Sequence, residues 1–264
     1  MGAMDYPHRT ALVRRPGPRL AEGLLTHLER TPVDVDLARR QWEAYVAVLV
    51  DEGWDVVEVP PADDCPDAVF VEDAVVVHGD LAVLGRSGAL GRRAEVEAVE
   101  GVVRELGYRV AHVEAPETLD GGDVLEHDGT LWVGTGGRTT PGAVRRLADL
   151  LAPLGARVVD VPLGAALHLK SAVTALPDGT VLGWEPVVAD PTVWPRFRAV
   201  PEEPGCHVVP LDATTVLMAA SAPRTRAALE ADGLRVLAVD IGELERLEGC
   251  VTCLSVRLPH GRLG

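Results

Sequence analysis

Gly53-Trp54-Asp55-Val56-Val57 recurs, with changes, three more times along the chain: Gly107-Tyr108-Arg109-Val110, Gly155-Ala156-Arg157-Val158-Val159 and Gly233-Leu234-Arg235-Val236-Leu237. A phrase that returns in this way marks a repeat architecture. Each copy follows a run with apolar residues at helical spacing, over 37–49, 92–106, 141–154 and 223–231. Glycine stands where a helix C-terminus favours a left-handed residue, and the β-branched residues after it read as a strand. Helix, glycine, strand is therefore one recurring unit.

Ahead of the helices lie paired strand candidates: 69–77 with 81–84, 124–126 with 131–133, and 172–175 with 181–184. Gly79-Asp80, Asp128-Gly129 and Asp178-Gly179 supply the hairpin turns. A fainter pair, 207–209 with 216–218, precedes the 223–231 helix, and 197–200 reads as a weak further copy of the closing strand. The spacing thus predicts four units of hairpin, helix and strand. A fifth is split between the ends, with a strand at 10–14, the 37–49 helix and the Gly53 strand on one side and a strand at 251–258 on the other. Pairing those ends closes five ββαβ units into an α/β propeller, which removes exposed sheet edges. A doubly wound parallel sheet is the alternative, and it leaves the hairpins unexplained.

At 264 residues, 47% of them hydrophobic, the chain can bury a full core without staples. Residues 5–264 are expected to form a single domain, and Met1, Gly2, Ala3 and Met4 read as a tag remnant. Cys65, Cys206, Cys250 and Cys253 are too few and too unevenly spaced for a disulfide scaffold, so a cytoplasmic location is expected. A formal charge of -15 argues against nucleic acid. No apolar run reaches membrane-spanning length, and the acidic balance permits a small cationic substrate.

Polar residues interrupt the apolar strand candidates at equivalent places: Asp67, Glu72 and Asp73; Asp120 and Asp123 around Gly121-Gly122; His168 and Lys170; and Cys253. Each has an ordinary structural reading as turn former, core histidine or small buried hydrophobe. In combination they offer a nucleophile, a proton carrier and a clamp for a cation. Cys250 and Cys253 form a C-x-x-C pair, but no second ligand pair completes a zinc site, and the pair enters a strand rather than a helix N-terminus. Strand alternation puts the two thiols on opposite faces, so only Cys253 is expected to face a site. Gly134-Thr135-Gly136-Gly137 lacks the lysine of a phosphate loop, and no serine sits in a nucleophile elbow.

The chain resembles the dimethylarginine dimethylaminohydrolases, within the pentein group of guanidine-modifying enzymes. The resemblance rests on 66–73 (Pro-Asp-Ala-Val-Phe-Val-Glu-Asp), 119–125 (Leu-Asp-Gly-Gly-Asp-Val-Leu), Arg138-Thr139, 168–171 (His-Leu-Lys-Ser) and 249–255 (Gly-Cys-Val-Thr-Cys-Leu-Ser). It implies a five-bladed propeller, no metal and no cofactor. By the resemblance Cys253 attacks the guanidinium carbon of an Nω-methylated arginine, and water cleaves the resulting thiouronium to citrulline. His168 serves as acid and then base, Asp120 orients it, and Asp73 pairs with the guanidinium. Arg92 and Arg138 match the carboxylate-binding arginines; Asp67, Glu72 and the backbones of Leu25 and Leu247 match the positions around the α-amino group. Departures are Asp120 where many bacterial relatives carry glutamate, Thr140 after Arg138-Thr139, the additional Cys250, and a poorly fitting segment at 189–207. Arginine deiminase, an amidinotransferase, and a non-catalytic propeller that binds a partner protein are the alternatives.

Overall fold

The computed structural model describes residues 9–258, so the tag assigned to residues 1–4 lies outside the described residues. Among the described residues, five three-stranded sheets carry the fold. They are β1 (Thr10–Val13) and β2 (Asp55–Glu58), joined by the last strand of the chain; β3 (Val75–His78), β4 (Leu81–Leu84) and β5 (Arg109–His112); and β6 (Val124–His127), β7 (Thr130–Thr135) and β8 (Arg157–Pro162). The remaining two are β9 (Val173–Ala175), β10 (Val181–Gly183) and β11 (Phe197–Ala199), then β12 (Val208–Pro210), β13 (Thr215–Ala219) and β14 (Arg235–Val239). The last strand, β15 (Val256–Leu258), pairs antiparallel with β1, while β1 runs parallel to β2. Every sheet repeats that scheme, with a middle strand antiparallel to one neighbour and parallel to the other.

The parallel pairs need crossovers, and four of the sheets have helical ones. These are α1 (Val35–Asp51), α2 (Val96–Glu105), α3 (Pro141–Leu151) and α4 (Pro223–Ala231). A one-turn helix, α5 (Gly242–Glu245), follows β14. In α1 the buried residues Ala38, Gln41, Trp42, Tyr45 and Leu49 fall at the three- and four-residue spacing of one helix face. Asp34 caps it by accepting the Leu37 N–H at 2.9 Å, which starts the helix two residues before its apolar pattern. Thr140 caps α3 in the same way through the Ala143 N–H, which gives this residue a structural task. The crossover between β10 and β11 departs from the expected helix. Pro186, Pro191 and Pro195 interrupt it, and the chain makes two single turns of 3-10 helix there, Glu185–Val187 and Pro191–Val193.

A feature the sequence pattern did not reveal lies ahead of the first strand of each unit. Val71–Ala74, Gly121–Asp123, Leu169–Ser171, Glu203–Cys206 and Thr252–Leu254 are all short 3-10 turns. Turns 71–74, 121–123, 169–171 and 252–254 touch in succession, with 71–74 in the middle of the chain of contacts to 252–254 and 121–123. The expected strand at 251–258 is therefore shorter than its alternating pattern suggests, starting at Val256 after a turn. The same holds at 69–77, where strand begins at Val75.

Gly53, Gly107, Gly155 and Gly233, which open the recurring phrase, have φ of 80, 90, 82 and 91°. An added Cβ at Gly233 meets nothing within 4 Å, so a substitution there tests backbone conformation alone. Gly233→Ala is expected to destabilise the fold by about 1–2 kcal/mol, read as a lower urea midpoint at an unchanged m-value.

Candidate active site

The turns bring the chemistry-bearing residues together. Asp73 ends the sequence Glu72-Asp73 within the 71–74 turn, Asp120 precedes the 121–123 turn, His168 precedes 169–171, and Cys253 sits inside 252–254. A single narrow cavity is lined by Leu24, Asp67, Phe70, Asp73, Arg92, Arg138, Leu167, His168, Leu247, Glu248, Gly249 and Cys253. Residues more than two hundred positions apart in sequence, Leu24 and Cys253, thus share one space.

Asp73 is the hub. Its Oδ1 accepts the Gly122 N–H at 2.9 Å and lies 3.6 Å from His168 Nδ1, while Oδ2 accepts Arg92 Nη1 at 2.5 Å. Only glycine fits at position 122, where a Cβ would stand 2.6 Å from Asp73 Oδ1 and 2.7 Å from His168 Nδ1. On its other side His168 Nε2 lies 3.2 Å from Asp120 Oδ2. Asp120 is held by the Gly88 N–H at 3.1 Å, and its own N–H donates to Thr139 Oγ1 at 3.2 Å. Thr139 passes its hydroxyl proton toward Asp123 Oδ2 at 2.6 Å, and Asp123 accepts the Leu169 N–H at 3.0 Å. Asp123 thereby fixes the backbone next to His168.

The electrostatics follow from burial and pairing. Burial opposes the His168 charge, but Asp73 and the hydrogen bond to Asp120 raise its pKa to about 9. Burial likewise opposes charge on Asp73, yet the neighbouring His168 and Arg92 hold it down to about 2. Asp123, where burial prevails, is pushed up to about 6. His168 is an imidazolium at neutral pH. The hydrogen bond to Cys250, then burial, then the nearby carboxylates Glu72 and Asp73 push the Cys253 thiol up.

The remaining expected residues distribute unevenly. Asp67 lines the cavity and accepts the Leu24 N–H at 3.0 Å. Leu247 lines it as well. Leu25 does not; its neighbour Leu24 does, because Asp67 draws in the Leu24 amide while Leu25 packs on the hydrophobic core. Glu72 points elsewhere, its Oε1 2.6 Å from Lys170 Nζ in a separate cavity that includes Ser255 and Arg257. Asp120 is fully buried behind His168 rather than on the cavity wall. Arg92 is bound by Asp73 and also by Glu95, whose carboxylate accepts its Nε at 3.0 Å and Nη2 at 2.9 Å. Arg138 keeps Nη1 free of hydrogen bonds, 3.7 Å from Asp120 Oδ2. Asp73, Asp120 and His168 each offer an atom within 4.8 Å of the others, a spacing a metal ion could use. Arg92 and the His168 charge already serve those carboxylates.

Two features were invisible in the sequence. Glu248, at φ 61° and on the cavity wall, takes the backbone N–H groups of Thr26, His27 and Leu28 at 2.9, 2.5 and 2.7 Å, and so ties the 26–28 segment to the wall residue. Cys250 Sγ lies 3.2 Å from Cys253 Sγ, so the two thiols face each other. Strand alternation does not apply in a 3-10 turn, where side chains three apart eclipse.

No protein-family model matches the sequence. The N(G),N(G)-dimethylarginine dimethylaminohydrolase of Streptomyces coelicolor is 59% identical over 96% of this chain and 98% of its own length. The chain belongs to the dimethylarginine dimethylaminohydrolase family. The namesake protein of Pseudomonas aeruginosa is 31% identical over 93% of this chain and 98% of its own. A solved cysteine-to-serine variant of the P. aeruginosa dimethylarginine dimethylaminohydrolase, complexed with citrulline, superposes with a TM-score of 0.88 at 30% identity, covering 95% of this chain and 99% of that one. In this dimethylarginine dimethylaminohydrolase family member, five mixed sheets carry the cavity on the turns between them.

The His168 charge has a signed consequence. Its pKa is about 6.5 unfolded and about 9 folded, so its contribution to stability is fully present below pH 6.5 and lost as pH rises through about 9. Denaturant unfolding between pH 6 and 10 is expected to show a loss on the order of a few kcal/mol that His168→Asn does not share.

Proposed function

We propose that this protein hydrolyses Nω-methylated arginines to citrulline and a methylamine through a covalent intermediate on Cys253. The observation that carries the reading is the meeting of Cys253, His168 and Asp73 in one buried cavity, in a chain 59% identical to a dimethylarginine dimethylaminohydrolase.

Asp73 pairs with the substrate guanidinium as a charge-assisted acceptor. The cation then lies beside the Cys253 sulfur and favours thiolate, the thiol proton passing to solvent as substrate enters, and so offsets the carboxylates that hold the proton on in the empty site. The thiolate attacks the guanidinium carbon, and the amine leaves with the proton that the His168 imidazolium carries. Neutral His168 next takes a proton from water, which adds to the thiouronium carbon; collapse expels the sulfur and leaves citrulline. Asp120 holds the imidazole in position from behind. Arg138, whose Nη1 makes no hydrogen bond and only a loose 3.7 Å ion pair with Asp120, is the first candidate for the α-carboxylate. Arg92 joins it only so far as Asp73 and Glu95 release it. Asp67 and the backbones of Leu247 and the 24–28 loop suit the α-amino group. Glu72, paired with Lys170, acts through the wall of the cavity.

The same reading arranges the five sheets around a common axis as a closed five-bladed propeller formed by a single domain. Antiparallel pairing of β1 with β15, and contacts of β9 with both β6 and β12, support that closure. A reducing cytoplasm suits a reactive thiol beside a second one.

Purified protein incubated separately with asymmetric dimethylarginine, monomethylarginine and arginine is expected to release citrulline from the methylated forms. Citrulline from arginine alone rejects the proposal. Cys253→Ala is expected to lower turnover roughly 10⁴-fold or more. Gly122→Ala, which forces Asp73 and His168 apart, is expected to lower it roughly 10²-fold while far-ultraviolet circular dichroism stays unchanged.

A further inference from the structure

Cys250 has no task in the hydrolytic reaction and does not line the cavity, yet it is buried against the nucleophile. The local backbone explains the approach. Cys253 N–H donates to Cys250 O at 3.1 Å, closing a turn in which positions three apart eclipse. The Sγ atoms stand 3.2 Å apart, and Thr252 Oγ1 lies 3.1 Å from Cys250 Sγ. In an extended strand the same spacing would put the sulfurs on opposite faces, out of bonding reach. The surroundings are asymmetric. His207, buried with Nε2 3.0 Å from the Ser171 carbonyl, contributes favourable charge to Cys250, whereas the negative charges of Glu72 and Asp73 disfavour thiolate at Cys253. The hydrogen bond from Cys253 and the His207 charge favour thiolate at Cys250. Among the described residues all four cysteines are free thiols.

We propose that Cys250 and Cys253 form a redox modification site, in which a hydroperoxide oxidises the pair to an intramolecular disulfide that takes the nucleophile out of reach of substrate. Hydrogen peroxide enters by the cavity that Cys253 lines. The Cys253 sulfur attacks one peroxide oxygen and the O–O bond breaks. The other oxygen leaves as hydroxide and takes the Cys253 proton as water. The Cys250 thiolate then attacks the Cys253 sulfenic acid, the S–O bond breaks, and hydroxide leaves to be protonated by solvent. Two thiols and one peroxide thus give one disulfide and two waters. A dithiol reductant reverses the change by exchange. Forming the bond requires the sulfurs to close from 3.2 Å to about 2.05 Å, within reach of side-chain rotation. Cys250 also protects the nucleophile, because a disulfide stops oxidation before the irreversible sulfinic stage.

Arg246 and Arg257 flank the pair, so trypsin releases residues 247–257 with both cysteines and no other. The full-length protein is treated with graded hydrogen peroxide, alkylated with iodoacetamide, digested and weighed. The expected peptide is lighter than its reduced form by two hydrogens and takes no alkyl label; dithiothreitol restores two labels and most of the citrulline-forming activity. Cys250→Ser is expected to keep basal activity. Under the same peroxide its peptide gains two oxygens on Cys253, and dithiothreitol does not reverse the loss. A wild-type peptide that accumulates oxygen on Cys253 while Cys250 stays open to alkylation overturns the proposal. The peptide mass is read whether or not any substrate turns over, so failure of the hydrolytic reading leaves this test standing.

Discussion

The Asp73 carboxylate is the constraint on which the site depends. One buried side chain takes a backbone N–H from the 121–123 turn, a guanidinium from the segment before α2, and the edge of the His168 ring. Those partners belong to three different sheets' worth of chain. A buried carboxylate left unpaired carries a heavy desolvation penalty, whereas one met by a cation and a backbone donor can stay ionised. The same interactions that offset burial also lock the geometry, since Asp73 cannot move without stranding Arg92, and Arg92 cannot move without stranding Glu95. Charge pairing here supplies position more than net stability.

The repeated fold gives that cluster its place. Five sheets of the same build each start after a short 3-10 turn, and the turns rather than the strands present polar groups. A strand alternates its side chains between two faces and commits both to packing. A turn ahead of it can hold consecutive residues such as Glu72 and Asp73 in different surroundings, one against Lys170 and the other against Arg92 and His168. The turns share in the packing through Val71, Ala74, Leu169 and Leu254, while their polar residues are left to meet one another.

What the sequence made legible was local. The left-handed glycines, the hairpin turn at Asp128-Gly129 with φ of 48 and 69°, and all four crossover helices follow from short-range backbone preference. The 3-10 turns were not legible, because Val71, Ala74 and Val75, or Val251, Leu254 and Val256, present the same apolar pattern as an extended strand. That ambiguity placed Cys250 and Cys253 on opposite faces when they touch. Motifs placed His168, Asp73, Asp120 and Cys253 near one another in expectation; His168 lies between Asp73 and Asp120, and Cys253 shares a cavity wall with His168 and Asp73 but not with Asp120. The Leu24 amide on Asp67 and the Glu248 grip on Thr26–Leu28 depend on meetings between distant parts of the chain, for which no local signal exists. Glu72 and Lys170 fit a motif, but motifs carry no direction, and the side chain points to the other side of the wall.

Pairing of β1 with β15 has a consequence for how the protein comes into being. Thr10 finds Leu258, so the first described strand waits during synthesis for one almost 250 residues downstream. Contacts of such sequence separation form late, since the intervening loop must lose its freedom first. The Cys253 turn leads straight into β15, and Ser255 meets Tyr45 of α1 at 2.7 Å. The Cys253 sulfur is thus seated late, together with that pairing. Until then the acidic and imidazole groups stand without the thiol, and the cavity wall is completed only when the two distant strands meet.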